Sequence, residues 1–106
     1  MKALLLIIVL IAPTKQYEFY NEMTDTTGYV AYTPKTLWVK FHGNPKVETF
    51  DLIFEEIIHR KLRLYIRNSR AQGVISIDRM YITFDLLVNK EIPYYEKFNI
   101  TRTNEQ

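Results

Sequence analysis

The sequence predicts a mainly β domain: a small antiparallel meander, forming a curled sheet, a sandwich or a partial barrel. Three observations carry that reading. Apolar and polar residues alternate with a period of two, most clearly in TLWVKFH and MYITFDLLV, as in a strand with one face in a core. Val, Ile, Tyr, Phe and Thr, which suit a pleated half-buried surface, crowd these stretches. Turn-forming clusters separate them at short intervals: TDTTG, GNPK, NSRAQG and NKEIP. At 106 residues and 47% apolar, the chain has material for one core and no room for a second.

The opening MKALLLIIVLIAPT is read apart from the domain. One cation, Lys2, precedes an apolar run from Ala3 to Ala12 that ends at Pro13, the layout of a secretory signal peptide. Ten apolar residues fall short of the roughly 20 a membrane-spanning helix needs. Residues 1–14 are therefore expected to be a signal peptide, residues 15–106 a single β-rich domain, and the protein secreted or periplasmic. The alternative is a cytoplasmic protein in which residues 4–11 form a buried strand.

KQYEFYNEM alternates loosely up to the TDTTG turn, and YVAYT follows as a short strand limited by Pro34. In TLWVKFH, Leu37, Val39 and Phe41 point one way and Trp38, Lys40 and His42 the other. Val47 to Asn68 fits two periods. As a helix over about residues 50–67 it would give an α+β fold, with that helix packed on an antiparallel sheet. As two strands, Phe50, Leu52 and Phe54 share one face, and further on Leu62, Leu64 and Ile66 do. The strand-rich sequence after Gly73 favours two strands, the second pairing with Val74 to Asp78. In MYITFDLLV the inward face is Met80, Ile82, Phe84, Leu86 and Val88. YYEKFNI is then a last short strand before a polar tail, TRTNEQ, for six to eight strands in all.

Composition excludes more functions than it indicates. Without cysteine there is no disulfide framework, thiolate metal site or cysteine nucleophile. A formal charge of +2, falling to +1 if Lys2 is removed with the leader, is too small to imply a polyanionic partner. The charge is segregated, however. Glu48, Asp51, Glu55 and Glu56 precede RKLRLYIR, in which Lys61, Arg63, Tyr65 and Arg67 alternate on one strand face. Such a row could track phosphates with a ring stacking on a base; the plainer expectation is a solvated face that guards the sheet against edge pairing.

His42 and His59 are the only histidines, and their spacing matches no zinc signature. EEIIH brings Glu55 and His59 together only on a helix. Ser69 and Ser76 stand in no nucleophile motif, and Gly28, Gly43 and Gly73 are scattered singly at turns, without a phosphate-cradling loop. No cofactor, metal or catalytic residue is expected. Eight tyrosines and one tryptophan exceed what a small core requires, and such side chains suit contact surfaces. The expected partner surface is Trp38, Tyr29, Tyr32, Tyr65, Arg63 and Arg67. The function expected is non-catalytic: a binding or structural module whose partner is another protein or an envelope component. The alternatives are a nucleic-acid or phosphate-binding module using residues 60–70, a small hydrolase using His42 or His59, and a homo-oligomer that buries the aromatic face.

Overall fold

The computed structural model describes residues 15–105. These form eight strands: β1 (Lys15–Asn21), β2 (Thr26–Tyr32), β3 (Thr36–Phe41), β4 (Glu48–Ile58), β5 (Lys61–Arg67), β6 (Ala71–Ile77), β7 (Tyr81–Val88) and β8 (Ile92–Glu105). Each pairs antiparallel with the next, and β8 returns to β1, so the meander closes into a barrel. The mainly β fold predicted from alternation is the one adopted, and no helix forms over residues 50–67. The leader and its alternative as a buried strand lie outside the described residues.

Alternation places the core. Phe19, Val30, Leu37, Leu64, Ile75, Ile82, Phe84 and Phe98 point inward from seven strands and are almost wholly buried. In β4 the alternation breaks. A bulge between Leu52 and Phe54 inserts one residue, so that Leu52 pairs with Ile66 and Phe54 with Tyr65. An extra residue reverses the faces beyond it. Phe54, expected inside with Phe50 and Leu52, therefore stands outside, half-exposed and stacked on the Tyr65 ring at 4.3 Å.

The turns differ from expectation at three places. Gly28 and Gly73 lie within β2 and β6. A Cβ on Gly28 would strike the Lys40 carbonyl oxygen, and one on Gly73 the Asp85 carbonyl oxygen. Both positions are therefore reserved for close strand approach. Met80 sits in the β6–β7 turn and is exposed. The polar tail is not a tail: Arg102 to Glu105 continue β8 and pair with Lys15 to Glu18, and with the Ile100–Phe19 and Asn99–Tyr20 pairs they close the barrel.

The meander sends turns alternately to the two ends. Thr33–Lys35, His59–Arg60 and Asp78–Met80 lie at one end, with both chain termini of the barrel; the segments 22–25, 42–47, 68–70 and 89–91 lie at the other. The first end is plugged by Tyr17, Tyr32, Leu37, Ile77 and Ile82, all buried. The second is not.

Candidate functional site

At the second end a cavity of about 700 Å³ opens into the barrel, within the range that holds a small molecule. Its walls are Val39, Phe50, Ala71, Leu86 and Val88, with Ile92, Pro93 and Tyr94 from the start of β8. Its floor is aromatic. Phe41 and Phe84 line it, and they pack with Phe19 and Phe98 in a cluster whose centroids lie 4.4 to 6.2 Å apart. The void follows from side-chain size. An eight-stranded barrel is just wide enough for its interior to be filled by side chains or to hold one small ligand. Val39, Ala71 and Val88 are too short to fill this end, whereas tyrosines fill the other.

The rim is polar and well tied. Arg70 places its Nη2 2.7 Å from Glu48 Oε1 and donates from Nε to Oε2 at 3.2 Å. Asn68 donates to the same Glu48 Oε2 at 2.9 Å, and its side-chain oxygen accepts the backbone N–H groups of Arg70 and Ala71, each at 2.8 Å. The Arg70 guanidinium and then the Asn68 amide hold the Glu48 carboxyl below the usual carboxylate range, against the upward push of partial burial. Lys46 and Asn44 complete this side.

Across the mouth, the Tyr94 hydroxyl donates to Glu96 Oε1 at 2.7 Å, while Asn21 Nδ2 donates to Oε2 at 2.8 Å. Burial and then the bond to Glu96 push the Tyr94 hydroxyl far up, so it remains a protonated donor over the working pH range. The mouth thus offers an apolar well bordered by hydrogen-bonding groups of both signs.

The residues expected to form a partner surface do not converge. Tyr32 is 6% exposed and belongs to the plug of the closed end. Tyr29 and Trp38 stand on the outer face of β2 and β3, half-buried. Arg63, Tyr65 and Arg67 do share the outer face of β5, but the register sets Glu56 opposite Arg63 and Asp51 opposite Arg67. The Tyr65 hydroxyl donates to Glu56 at 2.6 Å, its ring is covered by Phe54, and Arg63 lies 5.6 Å from the ring centroid. The cationic row is therefore interleaved with acids and its ring is occupied. His42 follows β3 at the open end and His59 lies in the β4–β5 turn at the closed one. The Glu55–His59 pair a helix would have formed is not made, because β4 is a strand.

Sequence reasoning noted Glu48 only within an acidic run and Asn68 and Arg70 only within the basic segment 60–70, and it passed over Glu96. One signal was available for Glu96: it falls in the inward phase of Tyr94, Glu96 and Phe98, where an acid is out of place unless it has partners. No family model, curated protein or solved structure matches this chain, so the functional reading rests on the chemistry of the site itself.

Proposed function

We propose that the protein is an exported, non-catalytic binding barrel whose open mouth takes up a small, mainly apolar molecule with a polar end group. The observation that carries this reading is the asymmetry of the barrel interior: one end is plugged by Tyr17 and Tyr32, and the other holds a cavity of about 700 Å³ with an aromatic floor. The ligand's apolar part occupies the well above Phe41 and Phe84. Its polar end remains at the rim, where Tyr94, Lys46 and the Glu48–Arg70 pair supply hydrogen bonds. Export rests on the lysine-led apolar leader, and the non-catalytic reading on the lining of the mouth, which includes neither histidine.

The test is a fluorescence titration with an anilinonaphthalene sulfonate dye, followed by its displacement with straight-chain fatty acids and alcohols. The dye should bind at one site, and Val88→Trp, which fills the well, should weaken it at least about tenfold while leaving the melting temperature within a few degrees. Dye binding unchanged by Val88→Trp and by Ala71→Phe would refute the mouth as the site.

A further inference from the structure

β4 extends beyond the neighbour on one of its sides. Its pairing with β3 covers Glu48 to Asp51, and one further bond runs from Leu52 N–H to the Lys35 carbonyl oxygen. From Ile53 to Ile58 the strand is paired only with β5. Along this free edge Ile53, Phe54 and Ile57 are 49%, 51% and 76% exposed, and Ile58 is exposed as well. The two-residue turn at His59–Arg60 makes Ile58 and Lys61 a hydrogen-bonded pair. Alternation along the ladder then turns the N–H and C=O groups of Glu55 and Ile57 away from β5, toward solvent.

Unpaired apolar strand edges recruit other strands, and folded proteins normally block them with proline, lysine or covering side chains. β8 shows the blocked form. Between Ile92 and Phe98 it too has one partner strand, but Pro93 lacks an N–H, and Asn21 and Thr24 reach over to Glu96. Among the described residues, no side chain is hydrogen-bonded across the edge of β4 from Ile53 to Ile58 in this way, and the only charges on that stretch are Glu55 and Glu56. These acids oppose self-pairing. In each two-fold antiparallel register that uses most of Ile53 to Ile58, a glutamate faces a glutamate of the other copy, which is destabilising.

We infer that the free edge of β4 is a strand-addition site for an extended segment of another protein, one that places Lys or Arg between apolar residues. Main-chain bonds to Glu55 and Ile57 supply affinity, and Glu55, which the register sets opposite Leu64 rather than a cation, selects the basic centre. The site lies at the plugged end, away from the mouth, and does not depend on ligand uptake there.

The probe is a synthetic peptide with two adjacent lysines flanked on each side by valine and threonine, compared with the same peptide carrying two glutamates. Calorimetric titration into the full barrel should show the basic peptide binding at least about tenfold more tightly, since opposite-charge cross-strand pairs replace like-charge ones. Ile57→Pro removes an N–H from the free edge while sparing the β5 ladder, and should abolish binding with the far-ultraviolet circular dichroism unchanged. Glu55→Lys, which leaves the backbone alone, should shift the preference toward the acidic peptide. The inference is overturned if neither peptide binds, if both bind equally, or if the chain instead dimerises through this edge in a way that Ile57→Pro disrupts.

Discussion

His59 and Arg60 both adopt the left-handed backbone conformation, at φ 52° and 64°, as a two-residue hairpin turn demands. Neither side chain suits it, since an L-residue there costs about 1–2 kcal/mol and glycine or asparagine far less. The double variant His59→Asn, Arg60→Gly should therefore be more stable by about 1 kcal/mol, raising the melting temperature by about 5 °C. A thermal melt followed by circular dichroism checks it, and an unchanged or lowered midpoint would show that the turn is held by contacts of the native side chains. Asp78 does the opposite work in the β6–β7 turn. Its Oδ1 accepts the N–H groups of Met80 and Tyr81 at 2.9 and 2.8 Å, a side-chain solution to the same problem of chain reversal.

Among the strands, the β3–β4 seam is the shortest, with four register pairs against eight for β7–β8. Local opening follows the least supported backbone. Amide exchange should therefore be fastest among strand residues at this seam, and the Glu55 and Ile57 amides should show almost no protection while Leu64, Ile75 and Ile82 exchange only by global unfolding. A uniform protection pattern would contradict a free edge on β4. β8 behaves differently, because its last residues alone join it to the start of β1. Deleting Arg102 to Gln106 removes the β8 partner of Lys15 to Glu18, which keep only β2, and uncovers the buried Tyr17. The truncated chain should melt at a lower temperature and associate through its new edges, as light scattering would report; a monomer of unchanged stability would mean that closure contributes little.

For the whole molecule, two carboxyls give stability a pH dependence of known sign. Glu48 is held low by Arg70 and Asn68. For Asp78, burial pushes upward, and the Met80 and Tyr81 N–H groups together with the Lys61 and Lys97 charges outweigh it. Both folded values lie below the unfolded ones, so their contribution is fully present above the ordinary carboxylate range and is lost as pH falls through the folded values. Denaturant midpoints should be flat near neutrality and fall on acidification. Glu48→Gln should remove part of that fall, and also up to about 1 kcal/mol of stability at pH 7, the scale of a partly exposed ion pair. The proposed uptake at the mouth, whose rim contains this pair, should weaken over the same acid range.

The local pattern of residues determined the fold class, most strand positions and their inward faces, because a two-residue period and turn chemistry are properties of the chain alone. Leu37, Val39, Leu64, Ile66, Ile82 and Phe84 all face the core as their alternation requires. Closure, the reversal of Phe54 and the continuation of β8 through the polar residues Thr101 to Glu105 came from tertiary structure. A bulge is one residue whose position depends on the strand opposite, and Arg102 to Glu105 are strand only because β1 lies beside them. The mouth is the clearest case. Val39, Ala71 and Val88 read as ordinary strand residues, and only when the barrel brings them to one end does their shortness become a cavity. Likewise the cations of β5 read as a continuous basic row until the register of β4 sets acids between them, since a single strand carries no information about the charges across from it.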